Sequence, residues 1–270
     1  IMGLAPFGNP ENLIPNSSKT YKEIFKEIIF ETGDYDFQID TSWIAYQHVR
    51  DTWISQKFIK TFGSKRNPDD PLEQHHKDIA AALQDRIEEI IIHHLKNAKK
   101  QFGLKKLCLA GGVGLNCSLN GKIIKEKIFD EIFVQPASGD NGAAIGACFL
   151  SHQKLTGTLN PEKYHDFYLG SSFTDDEIES VLNSKNIIFE KSENIFSKVA
   201  TELSNKKIIG WFQKSAEFGP RALGNRSILT SPFPKEMKDI LNKRVKFREE
   251  FRPFAPSILA EYTEQYFEIK

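Results

Sequence analysis

Apolar residues recur at three- and four-residue steps between Leu72 and Lys100, at Leu72, Ile79, Leu83, Ile87, Ile91 and Leu95. This spacing predicts one long helix, and Ala80, Ala81 and Ala82 favour it further. Elsewhere the runs are shorter. Leu104–Ala110 and Ile208–Phe212 are apolar, β-prone runs that predict buried strands, and Glu131–Gln135 predicts another. Tyr21–Phe30 reads as a short helix or strand, and Asp34–Ile39 as a strand punctuated by Asp and Gly. Thr174-Asp175-Asp176-Glu177 is a cap pattern opening a helix over Phe173–Leu182. Helices are also expected over Ala143–Leu150, Ile195–Leu203 and Lys235–Arg244. Met2–Pro10 holds Gly3, Pro6, Gly8 and Pro10, so it is a tight loop. It is either a plain turn or a place where a ligand reaches the backbone. Asn67–Pro71 is a loop leading to the long helix. His152–Tyr164 has weak periodicity with Gly157 and Pro161, and reads as a boundary between residues 1–160 and 161–270.

Two strand–turn–helix units stand out. Leu104–Ala110 runs into Gly111-Gly112-Val113-Gly114-Leu115-Asn116, with a helix expected from about Asn116–Asn120. Such a turn can present backbone N–H groups and a helix N-terminus to a phosphate. It lacks the spacing of the dinucleotide fingerprint and of the phosphate-loop lysine motif, so taken alone it is a structural turn. Glu131–Gln135 leads through Pro136–Gly142 into a small-residue helix whose composition implies close packing against a sheet. Asp140 sits at its mouth, either as a cap or as a ligand for a cation beside a nucleotide. Together the two units predict an α/β nucleotide-binding fold.

Composition narrows the classes. The 270 residues are 40% hydrophobic and 27% charged, with net charge +0. That is a soluble globular profile with no global field for nucleic acid or anionic membrane. Cys108, Cys117 and Cys148 have neither zinc spacing nor a disulfide framework and fit a reducing cytoplasm. No signal peptide or membrane-length apolar run is visible. His75-His76 and His93-His94 are adjacent pairs. Helix neighbours point about 100° apart, so they do not chelate one metal and read as surface or cap residues.

Local charge is more informative. Lys206–Leu229 breaks at Gly219-Pro220 and presents Arg221 and Arg226 beside Gly224, Asn225 and Ser227. Val245–Leu259 carries Lys246, Arg248 and Arg252. Each arginine taken singly reads as a surface charge paired with Glu217, Glu249 or Glu250. The group reads as an oxyanion site, because guanidinium forks bind oxyanions bidentately and Phe, Pro and Gly surround these charges. The helix over Lys235–Arg244 is expected to bring the second cluster toward the first.

These segments carry a family resemblance. MGLAPFG (2–8), LCLAGGVGLNCSLNGK (107–122), VQPASGDNGAAIGA (134–147), EFGPRALGNRSIL (217–229) and VKFREEFRPFAPSIL (245–259) together resemble the ATP-dependent O-carbamoyltransferases. That family acts on nodulation factors, cephalosporins and aminoglycosides. The resemblance implies the second half of an actin/hexokinase-like (ASKHA) domain over 1–160. The start of an open twisted α/β domain, YrdC-like and carbamoyl-adenylate-forming, would follow over 161–270. In the family, carbamoyl phosphate and ATP give carbamoyl-adenylate and pyrophosphate, and the first domain, with iron, passes the carbamoyl group to a hydroxyl. Residue by residue, Asp140 matches the metal-binding aspartate, while Gly111, Gly112 and Asn116 match the nucleotide turn. Arg221, Lys246 and Arg252 match catalytic cations that bind carbamoyl phosphate and the adenylate, with Arg226 and Arg248 beside them.

The implied ligands are ATP, Fe(2+), with Mg(2+) as a second candidate ion, carbamoyl phosphate and a small-molecule hydroxyl acceptor. The expected setting is cytoplasmic, with no nucleic acid or membrane partner and with homo-oligomerisation as an open expectation. The family's upstream phosphate loop and its HxxxH iron ligands do not occur in this sequence, and Glu250 stands where REPF is usual. The chain therefore looks like a middle-to-C-terminal fragment, inactive alone. Two other readings stand beside this one: a non-catalytic nucleotide-binding or assembly module, and a threonylcarbamoyl-type tRNA-modifying enzyme.

Overall fold

The computed structural model describes residues 1–158 and 167–268, and the expected boundary at 160/161 lies outside the described residues. The fold is mixed α/β. Helix α1 (Tyr21–Ile28) leads directly into strand β1 (Ile29–Glu31), so the ambiguous Tyr21–Phe30 run forms both. β1 pairs antiparallel with β2 (Phe37–Ile39). Helix α2 (Gln56–Phe62) precedes the long α3 (Gln74–Phe102). Strand β3 (Lys106–Leu109), α4 (Cys117–Lys125) and β4 (Glu131–Val134) form a β–α–β unit whose strands pair parallel, Lys106 opposite Glu131. Helix α5 (Gly142–Thr156) follows. After the undescribed segment come α6 (Asp175–Ser184), α7 (Ile195–Ser204), the antiparallel pair β5 (Ile209–Phe212) and β6 (Arg226–Leu229), α8 (Met237–Leu241) and α9 (Thr263–Tyr266).

Helix α3 joins two cores. Its Ala82 packs into a cluster with Ile14, Tyr21, Phe25, Trp43 and Phe62. Nearly three turns later Ile92 packs with Leu119 and Ile123 of α4. The structure buries more of α3 than its apolar stripe predicts. Asp78, Gln84 and Arg86 are buried as well. Each has partners, which burial of a polar group requires. Arg86 donates from Nε to Ile29 O (2.7 Å) and pairs with Glu89 (2.8 Å). Asp78 accepts from Asn9 N–H (2.8 Å), Asn12 Nδ2 (2.9 Å) and Gln74 Nε2 (2.8 Å). The first two bonds hold the Asn9–Asn12 stretch, just after the Met2–Gly8 loop, against the helix, and the third lies within α3 itself. His76 Nδ1 accepts from Glu73 N–H (3.1 Å), so one member of the first histidine pair is a cap. Gly103, in the left-handed region at φ 65°, ends α3.

Four expectations need correction. Leu104–Ala110 is not a buried strand: along β3 exposed residues alternate with half-buried ones, because α4 covers one face of this two-stranded sheet. β5 is likewise half-buried in alternation rather than buried. None of the α5 residues is buried, although Gly142 does approach Ala137 O closely. Its small residues therefore do not mark close packing on a sheet among the described residues. The Lys235–Arg244 helix is shorter than expected, five residues of α8 followed by a π-turn over Asn242–Lys246.

No helix among the described residues is long and apolar enough to cross a membrane. A Cβ at Gly8 would stand 2.1 Å from Lys77 O, a backbone atom that cannot swing away. Gly8→Ala is therefore expected to destabilise the protein by about 1–3 kcal/mol through overpacking. Guanidinium chloride unfolding checks this, and unchanged stability would mean that the loop does not press on α3.

Candidate functional site

The site begins where β3 and β4 end side by side. After β3, Gly111 adopts φ 98°, a conformation disfavoured for residues with a Cβ, and its N–H reaches Ser138 O (2.6 Å). The GGVG turn is thereby tied to the turn after β4. A Cβ at Gly114 would sit 3.3 Å from Ser138 Oγ, so the two turns are in contact. Ser138 is 4% exposed and its hydroxyl has no protein partner among the described residues. Asn116 caps α4 by accepting from Leu119 N–H (3.1 Å). Its amide also forms a reciprocal pair with Gln84 of α3, at 2.9 and 3.1 Å. The side chain expected to face a nucleotide is thus engaged in fastening α4 to α3.

The other motifs close around these turns. Gly219, at φ 132°, lies against the Pro136 carbonyl, where a Cβ would be 3.0 Å from the oxygen. The flanking chain is held by Phe218 N–H to Phe167 O (2.7 Å) and by the Gly170–Ala216 and Ala216–Ser171 backbone bonds (2.9 and 3.0 Å). On the opposite side Met2 Sδ is 3.5 Å from Cys117 Sγ at the start of α4. The neighbouring Gly3 faces Pro253 and Phe251, which lie 3.6 and 3.7 Å from where a Cβ would stand. The five segments, distant in sequence, therefore form a connected chain of contacts.

The expected cations divide into two kinds. Arg226 stacks on Phe212, with its guanidinium carbon 3.5 Å from the ring centre. It donates to the carbonyls of Gln213 (2.6 Å), Asn225 (3.0 Å), Ser171 and Lys214 (both 3.1 Å). Arg248 lies 4.6 Å over Phe254 and donates to Asn242 Oδ1 (2.7 Å) and Pro253 O (3.2 Å). Burial, and then the adjacent charge of Arg252, disfavour its protonated form. Arg252 has one ion pair, to Glu249 at 3.1 Å. Arg221 and Lys246 are exposed and make no hydrogen bond or ion pair among the described residues, nor does any such contact join them. Arg226 and Arg248 hold backbone, whereas Arg221 and Lys246 present open charge.

Glu217 is not an ion-pair partner for these arginines. One of its oxygens, Oε1, accepts from the N–H groups of Leu223 (2.7 Å), Asn225 (2.8 Å) and Arg226 (3.2 Å). The Ala222–Arg226 turn wraps this carboxylate, and Gly224 at φ 106° permits the wrap. Partial burial works against the ionised form, but the three N–H donors outweigh it and hold the carboxyl at about 2. Sequence reasoning passed over this role, as it did Asp78, Gln84 and Ser138. A signal existed for Asp78: Ala81 and Ala82 stand one turn on, marking a helix face that admits close backbone.

Asp140 is exposed at the start of α5, and its carboxylate has no partner among the described residues. Iron needs several such ligands. No group of three His, Cys, Asp or Glu among the described residues is placed to hold a metal. The residues present thus supply one candidate ligand and do not by themselves fit an iron site. Cys108, Cys117 and Cys148 are free and exposed.

Comparison with known proteins decides the family. Residues 1–149 match the family described as Carbamoyltransferase N-terminus, and residues 200–270 match Carbamoyltransferase C-terminus. The chain belongs to the carbamoyltransferase family. It is 38% identical over its whole length to Nodulation protein NolO of Bradyrhizobium diazoefficiens, covering 46% of that protein. It is 36% identical, again over its whole length, to Nodulation protein NolNO of Sinorhizobium fredii, covering 37% of it. Nodulation protein U of Rhizobium tropici is 31% identical over 71% of this chain and 32% of its own. The chain thus spans less than half the length of each of these relatives.

Glu217→Gln keeps the acceptor and removes the charge. Because the folded carboxyl lies at about 2, below its ordinary 4.5, the charge stabilises the fold above the ordinary value and ceases to do so as pH falls through the folded one. The stability difference between wild type and Glu217→Gln should be constant above about pH 5.5 and vanish as the pH approaches 2. Denaturant unfolding across this range tests it, and a pH-independent difference would contradict the wrapped carboxylate.

Proposed function

We propose that this carbamoyltransferase forms carbamoyl-adenylate from carbamoyl phosphate and ATP, then carries the carbamoyl group to a hydroxyl of a small molecule. The supporting observation is that five separate segments meet in one set of contacts bearing two open cations, Arg221 and Lys246. In the reading proposed, water cleaves carbamoyl phosphate to carbamate and phosphate. A carbamate oxygen attacks the α-phosphorus of ATP, and pyrophosphate leaves. The acceptor hydroxyl then attacks the carbamoyl carbon, loses its proton to solvent, and AMP departs.

The first half brings many negative charges together, and Arg221, Lys246 and Arg252 offset their repulsion at fixed positions. Arg226 and Arg248 act as positioning residues in this scheme. Arg226 orders the Gly210–Ser227 segment that carries Arg221, and Arg248 orders the Lys246–Phe254 segment. The GGVG turn receives the nucleotide through its backbone, while Asn116 holds α4 in place. The ASKHA-like architecture for the first part and the YrdC-like one for the second belong to this proposal. No step runs through iron, for which this chain offers only Asp140.

In the full-length protein, Arg221→Ala and Lys246→Ala should each lower carbamoyl-phosphate-dependent pyrophosphate release by about a hundredfold or more, the scale of removing a fixed electrostatic group. Full release in either variant would remove that residue from the site. Asp140→Asn should leave pyrophosphate release intact and slow transfer to the acceptor, and equal loss of both half-reactions would contradict the separation of the two steps.

A further inference from the structure

A cavity of ≈ 640 Å³ lies between the end of α2 and the start of α3, and no segment of the five-motif cluster lines it. Its volume falls in the range of small-ligand sites, about 300–1,000 Å³. Buried Phe62 contributes to its wall, and Gly63 at φ 101° turns the chain so that Ser64, Lys65 and Arg66 line the same space as Lys60. His75 and His76 line it from α3, with ring centres 3.8 Å apart.

The carboxylates nearby are already occupied. Asp70 Oδ2 accepts from Asn67 N–H (2.8 Å) and Asn67 Nδ2 (2.9 Å) within its own loop. Glu73 Oε2 lies 3.3 Å from His75 Nδ1. Arg66 reaches two carbonyls through one nitrogen, leaving its other donors open. Lys60 and Lys65 are exposed and have no ion pair or hydrogen bond among the described residues. Burial, and after it the charge of His75, push His76 below its ordinary value, with Glu73 opposing, Arg66 adding to the push and Asp70 opposing. Lys60, Lys65 and Arg66 thus line a concave wall that also carries two carboxylates, each already holding a partner, and the cations outnumber the carboxylates. A phosphate suits that excess of open donors, because lysines hold phosphate as point charges and arginine grips it with paired donors.

We propose that this cavity binds the phosphate group of a small phosphate monoester or free phosphate, held by Lys60, Lys65 and Arg66. The site is separate from the carbamoyl-transfer cluster and independent of the function proposed above. The test is isothermal titration of the full-length protein carrying Arg221→Ala, which weakens anion binding at the carbamoyl-transfer cluster, with inorganic phosphate and with glycerol 3-phosphate, repeated after adding Lys60→Gln/Lys65→Gln. Saturable binding to Arg221→Ala that weakens at least tenfold when Lys60→Gln and Lys65→Gln are added is the expected result. Tighter binding of glycerol 3-phosphate would assign the cavity to an ester, and tighter binding of inorganic phosphate to the free ion.

His76, followed by NMR, should titrate at higher pH when the anion is bound. Both lysines are exposed, so adding the two substitutions should leave the denaturant midpoint unchanged. Binding equally tight with and without the two lysine substitutions, or no binding of either anion to Arg221→Ala at millimolar concentration, would each overturn the proposal.

Discussion

A buried carboxylate governs how this chain assembles. Asp78 is 3% exposed, and three donors meet it on the inner side of α3. Hydrogen bonds to a charged group are worth about 1.5–3 kcal/mol each, while a buried charge without them is costly. Two of these donors, Asn9 and Asn12, come from the chain just after the Met2–Gly8 loop, so that chain closes on α3, and Gly8, lacking a side chain, lets backbone meet backbone there. Once the loop is held, Met2 lies at the start of α4 and Gly3 against Phe251 and Pro253. The start of α4 and the FRPF segment are thus both met by a loop that is anchored on one helix residue.

The same economy of contacts sorts the charges. A guanidinium can order a loop or meet a ligand, but its five donors cannot do both fully. Arg226, stacked on Phe212 and surrounded by carbonyls, orders a loop. Glu217 does the same from the opposite sign, gathering three N–H groups onto one oxygen. These two residues hold rigid the turn from which Arg221 projects. In the proposed reaction such ordering matters because a cation held in place before its ligand arrives needs no reorganisation when charge develops. The open cations are therefore meaningful only with the closed ones beneath them.

The sheets place the site without burying it. β3 and β4 have one face covered by α4 and the other exposed, and their parallel pairing sends both following turns to the same edge. Gly111 N–H to Ser138 O then locks the turns together. An open α/β sheet offers its ligands the crevice beyond the carboxyl ends of its strands, and this edge is where Gly219 also arrives.

Much of this was legible in sequence. The long helix, both strand–turn–helix units, the Thr174 cap and the order of the motifs follow from spacing and composition, because capping and amphipathic periodicity act within a few residues. Partner choice is a different kind of information. Gln84 and Asn116 are 32 residues apart, Asp78 and Asn9 are 69 apart, and nothing local distinguishes an amide that faces another amide from one that faces a ligand. Burial of β3 and α5 was overestimated for the same reason: apolar composition states what a segment prefers, while coverage depends on what the rest of the chain lays upon it. The sequence by itself determined the long helix, the two strand–turn–helix units and the residue types at the turns, but not α2, α9 or the short α8. Only the tertiary structure decided which arginines hold backbone and which remain open, since that depends on the carbonyls, rings and carboxylates that long-range packing brings within about 3 Å of each hydrogen-bonding group.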